Sequence, residues 1–145
     1  MANDLAVMEE MLRTARTIAV VGMSDKPWRA SHNIGRYLAE NGYRVLPVNP
    51  ALSEILGIQC YPDLDAAQAA AQRATGSGID LVDVFRASEH VPAIVDDVIR
   101  LGIPYLWLQE EVVHDEAVAR AQAAGVKCIQ DDCIFRQHAR LAEQL

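Results

Sequence analysis

The sequence predicts a doubly wound α/β fold: a single domain with a mostly parallel sheet and helices on both of its faces. Short, unbroken apolar runs such as Thr17-Ile18-Ala19-Val20-Val21 recur along the chain, and such runs suit strands buried on both faces of a parallel sheet. Segments of about 10–13 residues with helical spacing of apolar side chains lie between them, and that alternation specifies right-handed βαβ crossovers. The 145 residues are 51% hydrophobic and 23% charged. A chain of that length buries roughly 68–70% of its unfolded surface, which is enough for one core.

Taken in order, Leu5, Met8, Met11 and Leu12 place an amphipathic helix over residues 3–15. A strand over 17–22 closes on Gly22, and the polar segment 23–30, which contains Pro27, is a loop. Ser31 is an N-cap candidate for a helix with Ile34, Tyr37 and Leu38 on one face, stopping near Asn41-Gly42. Residues 43–49 form a second strand and 57–61 a short, weak one. The alanine-rich stretch 63–74 is helical and runs into Thr75-Gly76-Ser77-Gly78. Next come a strand over 79–85 and a helix capped by Ser88, with Pro92 in its first turns and Gly102 at its end. A strand over 105–109, a helix over 115–124, a strand over 126–130 and a terminal helix through Leu145 complete a Rossmann-like pattern.

Charge narrows the partners. The formal net charge is −7, whereas a protein that tracks nucleic-acid phosphates needs a basic face. An anionic small molecule remains compatible, because backbone N–H groups can bind phosphate on an acidic protein. No stretch approaches the roughly 20 apolar residues of a membrane span, so no membrane partner is expected. The N-terminal segment carries Asp4, Glu9 and Glu10, unlike a secretory signal with its basic start and apolar run. Cys60, Cys128 and Cys133 make an odd set without paired C-x-x-C spacing, which predicts a reducing, cytoplasmic setting.

In open parallel sheets, ligands bind outside the carboxyl ends of the strands, where the strand order reverses. After the first strand stand Gly22, Met23, Ser24, Asp25, Lys26 and, further on, Arg29. Glycine lets the backbone approach a phosphate, Ser24 offers a hydroxyl, and Lys26 and Arg29 offer charge. A tight turn explains Gly22 equally well. The run is not G-x-G-x-x-G, because the next glycine is Gly35 inside the predicted helix, and it is not a Walker A loop. The second strand ends in Asn49-Pro50, where NAD-binding domains place an acid to grip the ribose diol, and this weighs against NAD. The third ends in Phe85-Arg86; its guanidinium either reaches a diphosphate bidentately or is simply solvated. Asp80 and Asp83 read as turn and strand-face carboxylates pairing with nearby cations.

These tips, together with Ile18 to Pro27, Gly42 to Pro50, Glu54-Ile55-Leu56-Gly57, Asp80 to Arg86, Trp107-Leu108-Gln109, Asp132-Cys133-Ile134 and His138-Ala139-Arg140-Leu141, resemble the small stand-alone CoA-binding proteins. They are similar to the N-terminal CoA-binding domain of succinyl-CoA synthetase α subunits. The resemblance spans about residues 12–141. It implies a Rossmann-like fold with coenzyme A, or an acyl-CoA, across the strand tips. It puts Gly22, Ser24 and Lys26 around the diphosphate, with Met23 and Arg29 in the same loop. Asn49 and Pro50 lie near the adenosine half, and Phe85 and Arg86 line the other side. The chain departs from the pattern twice. Ala51 and Leu52 follow the Asn-Pro pair where members often carry a base for the 3′-phosphate, and Asp132 precedes Cys133 where a base is common.

No catalytic constellation is evident. The histidines at 32, 90, 114 and 138 lack metal spacing, and Asp115 and Glu116 beside His114 read as helix-opening caps. No second domain with a phosphorylated histidine is present in the sequence. Cys133 reads as structural, with thiol exchange as the alternative; its acidic neighbours oppose a thiolate. Trp28, in the first loop, is placed to cover a ligand's base or pantetheine arm. The expected function is non-catalytic binding of CoA or an acyl-CoA. The alternatives are a small NAD(P)-dependent oxidoreductase, an acyl-CoA-using enzyme, or a CoA-site subunit of a separately encoded ligase. A homodimer or a ligase partner is compatible with either.

Overall fold

The computed structural model describes residues 3–143. Helix α1 (Leu5–Thr14) leads into β1 (Thr17–Val21), α2 (Ala30–Glu40) and β2 (Arg44–Val48). A small hairpin of β3 (Glu54–Ile55) and β4 (Ile58–Gln59) precedes α3 (Leu64–Thr75) and β5 (Leu81–Val84). The rest runs α4 (Val91–Leu101), β6 (Tyr105–Leu108), α5 (Asp115–Ala123), β7 (Lys127–Ile129) and α6 (Ile134–Ala142). Five strands make one parallel sheet in the order β2-β1-β5-β6-β7. The chain steps from β1 outward to β2, then crosses back to β5 on the other side of β1. The reversal of strand order therefore falls between β1 and β5.

Alternation along each strand sends side chains into two apolar layers. Ala19, Val21, Val82 and Val84 pack with α3, α4 and α5. Ile18, Val20, Leu81 and Trp107 pack with Met8 and Met11 of α1, Leu38 of α2 and Ile134 of α6. This is the doubly wound arrangement that the alternating pattern predicts. Just past the edge strand β7, Asn3 Nδ2 donates to the carbonyl of Gln130 at 2.7 Å, and the Gln130 amide donates back to Asn3 Oδ1 at 3.0 Å. No helix among the described residues is long and apolar enough to cross a membrane.

Several expectations need correction. Ser31 is not the N-cap of α2; Arg29 holds that position without a side-chain cap, and Ser31 lies inside the first turn. Ser88 does not cap α4. It opens a 3-10 turn (Ser88–His90), and its hydroxyl accepts from the Val113 amide at 2.9 Å, tying the β5 exit to the loop after β6. His114 itself caps α5, its Nδ1 accepting from the Ala117 amide, while Asp115 accepts from Gln130. Asp83 is fully buried, and neither of its oxygens has a cation or a hydrogen-bond partner among the described residues. Asp80 takes the backbone amides of Arg16 and Thr17 at 2.8 and 2.9 Å instead of a cationic side chain. The terminal helix ends at Ala142, and the predicted continuation to Leu145 falls partly outside the described residues.

Candidate functional site

Gly22 leaves β1 at the reversal point with a φ of +85°, a conformation that glycine adopts without strain. Space imposes a second demand. A Cβ there would stand 2.5 Å from the Phe85 carbonyl oxygen and 3.0 Å from Arg86 Cδ. The tips of β1 and β5 meet through this residue, which brings Phe85 and Arg86 beside the first loop. The tight turn that explains Gly22 is thus present, and the close approach in the structure is to the backbone of Phe85, just after β5.

The loop is fixed by its own hydrogen bonds. Ser24 N donates to Ser31 Oγ and Lys26 N donates to Ser24 Oγ, both at 3.0 Å. His32 Nδ1 lies 2.9 Å from the Ser24 carbonyl, so that nitrogen carries the proton and donates. Asn33 Nδ2 donates to the carbonyl of Pro27 at 2.9 Å. Each serine oxygen accepts from an amide, which leaves its hydroxyl proton free for a ligand.

Gly22, Ser24, Lys26, Arg29, Ser31 and Phe85 line a cavity of about 300 Å³. Helix α2 starts on its wall with no acidic residue in the first turn and no capping side chain. The amides of Ala30 and Ser31 donate to none of the described residues. Unsatisfied N–H groups at a helix start, with the positive end of the macrodipole, favour an anion. Lys26, Arg29 and Arg86 form no ion pair with the described carboxylates, and neither do Arg16, Arg44, Arg73 and Arg140, whereas Arg13, Arg36, Arg100, Arg120, Lys127 and Arg136 all do. On a chain of net charge −7, three uncommitted cations therefore gather at one strand junction.

Five of the nine residues picked from the sequence thus share this cavity: Gly22, Ser24, Lys26, Arg29 and Phe85. Arg86 borders it through its contact with Gly22. Met23 turns away; it is fully buried and fills the space above Gly35, where a Cβ would collide with its thioether. Asn49 serves as a brace, its Nδ2 donating to the Met23 carbonyl at 3.0 Å and its Oδ1 accepting from Ala51 N at 2.9 Å. Pro50 follows on the exposed surface outside the cavity lining. Ser31 belongs to the site and was missed, because its hydroxyl suggested a cap; the empty helix start at Arg29 is visible only in three dimensions. Gly35 was also passed over. It lets α2 approach the first loop, the packing role that the last glycine of G-x-G-x-x-G performs. Trp28 is 75% exposed beside the cavity, with Lys26 Nζ 5.8 Å from its ring centre.

Fold and crevice define a Rossmann-like protein with a candidate ligand site at its topological switch point. The chain belongs to the CoA binding domain family, whose model matches residues 16–139. It is 34% identical over 134 residues to the uncharacterized protein YneT of Bacillus subtilis (strain 168), covering 92% of this chain and 93% of that one. Among solved structures it is similar to a hypothetical protein from Pyrococcus horikoshii OT3, with 34% identity and a TM-score of 0.84 over 96% of this chain and 92% of that one. It is also similar to the cell-free protein ID.343 from Thermus thermophilus, with 32% identity and a TM-score of 0.84 over 95% and 98% of the two chains.

Proposed function

We propose that the protein binds coenzyme A, or an acyl-CoA, without catalysing a reaction, in the crevice outside β1 and β5. The uncapped start of α2, opening on the same cavity as Lys26 and Arg29, carries this reading. A diphosphate there meets the free amides of Ala30 and Ser31, the hydroxyl protons of Ser24 and Ser31, and two or three cations. Charge-assisted hydrogen bonds of this kind are about twice as strong as neutral ones. Phe85 and Trp28 offer apolar surface for the pantetheine arm or the base. Membership of the CoA binding domain family supports the choice of ligand. Three free cysteines fit the proposed cytoplasmic setting.

The test is thermal stability of the purified protein against CoA, dephospho-CoA, NAD and ADP. Ligand at 100 times its dissociation constant adds about 2.7 kcal/mol, which raises the melting temperature of a domain of this size by about 5–10 °C. A shift with CoA and none with NAD is expected. A shift with NAD alone points to the oxidoreductase, and none with any of the four at millimolar concentration sinks the assignment. Equal responses to CoA and dephospho-CoA mean that Ala51 and Leu52 leave the 3′-phosphate unread.

A further inference from the structure

Asp83 occupies the strand next to the reversal point, two residues before Phe85. Its register partners are Val20 on β1 and Trp107 on β6, both fully buried. Leu81 and Phe85, on the same face of β5, pack into the layer formed by α1, α2 and α6. The Asp83 carboxyl is itself fully buried, with no hydrogen bond to either oxygen. The indole N–H of Trp107 is committed elsewhere, donating to the Asp132 carbonyl at 2.9 Å.

Among the described residues, no charged group answers it from the surrounding elements. On α2, His32 is bound to Ser24 and Arg36 to Glu40. On α6, His138 meets the Tyr37 hydroxyl, Arg136 pairs with Glu110 and Arg140 donates to Gln137, while Cys133 at its start makes no side-chain hydrogen bond. On α1, Arg13 pairs with Glu9, and Glu10 is held by Lys127 and the Tyr105 hydroxyl. Strand β1 contributes no titratable side chain. Burial without compensation pushes the Asp83 carboxyl well above the ordinary carboxylate range.

We infer that Asp83 is held as the neutral acid in the folded protein, and that loss of this proton opens the tip of β5, so that a buried proton locks one wall of the crevice. In the unfolded chain the same carboxyl ionises near pH 4. Above that pH the folded state holds one proton more than the unfolded state. The folded-to-unfolded ratio then falls about tenfold for each further pH unit, until Asp83 ionises in place. The stabilisation is complete below about pH 4 and is lost as pH rises. Burial moves His138 downward, which acts in the opposite sense: its contribution is present above its unfolded value near 6.5 and lost as pH falls. A comparison of variants at the same pH cancels His138.

The experiment is urea unfolding of the full chain and of Asp83→Asn from pH 5 to pH 8, with Asp83→Val as a second neutral variant should the amide fold poorly. Native-state hydrogen exchange at Phe85 and Gln109 accompanies it, since their amides pin the β5 tip to Val21 and Val84 at 2.8 and 3.2 Å. Relative to either variant, the wild type should lose about tenfold in stability per pH unit, and Phe85 protection, corrected for intrinsic exchange, should fall with it. Parallel pH profiles, or protection at Phe85 that ignores pH, overturn the inference. So does an Asp83 carboxyl carbon that has the NMR shift of an ionised acid at pH 6. None of these readouts depends on which ligand the crevice takes.

Discussion

The two ends of the sheet carry cavities of opposite character. At the carboxyl end, about 300 Å³ lies before a bare helix start and unpaired cations. At the amino end a larger space of about 400 Å³ is lined by residues including Arg16, Tyr43, His138 and Leu141, near the last turns of α1, α2 and α6. Helix ends there present carbonyls, and the protein's own donors take them. The Tyr43 hydroxyl donates to Leu12, Arg16 to Arg13 and Ala15, and Asn41 to Tyr37. Volume favours the amino end, while unanswered electrostatics favours the carboxyl end. Cavity size records what packing leaves over, whereas a ligand site is marked by polar groups that the fold leaves without partners.

The largest expected effect contrasts two glycines, one at each end. Gly22 and Gly42 both have positive φ, but nothing stands within 4 Å of a Cβ at Gly42. Gly42→Ala should cost about 1–2 kcal/mol, from backbone strain alone. Gly22→Ala adds the collision with the Phe85 carbonyl and should cost about 3 kcal/mol or more, with loss of CoA binding. Equal losses in urea unfolding would break the contrast.

Reversing charge should separate the ends next. Lys26→Glu with Arg29→Glu should weaken CoA binding more than tenfold, because hydrogen bonds to charged groups are worth about 1.5–3 kcal/mol each. Arg16→Glu, in the other cavity, should leave it within about twofold. Calorimetry showing the reverse order would move the site to the amino end.

The smallest contrast pairs two hydroxyls. Ser31→Ala removes the acceptor of Ser24 N, and Tyr43→Phe removes the donor to Leu12; each should lower stability by about 1 kcal/mol. Only Ser31→Ala should also weaken CoA binding, by about threefold. An equal effect of both on affinity would mean that Ser31 acts through the fold and not through the ligand.

Much of this was legible in the residues. The strand at Leu81–Val84 and the first loop at Gly22 follow from apolar runs and their punctuation, since local patterns dictate local elements. Of the five chosen residues that meet in one cavity, four share the loop after β1, and Phe85 joins them because β5 lies beside β1. Ser31, Met23 and Asn49 take places that the sequence alone does not fix, for a shared reason. A hydroxyl, a thioether and an amide each suit several local roles, and which one is taken depends on partners distant in the chain, such as Gly35 for Met23. Asp83 shows the same limit, because nothing in Leu81-Val82-Asp83-Val84 distinguishes a solvated carboxylate from an entombed one.

By itself, then, the sequence determined the alternation of elements, the parallel sheet, the loop chemistry after β1 and the net charge of −7, all of which depend on short-range pattern and composition. Tertiary structure alone decided which strand lies beside β1, which cations go unpaired, that the start of α2 stays bare, and that Asp83 is sealed between Val20 and Trp107. Those outcomes turn on desolvation and close approach between segments tens of residues apart, and they exist only once the layers have packed.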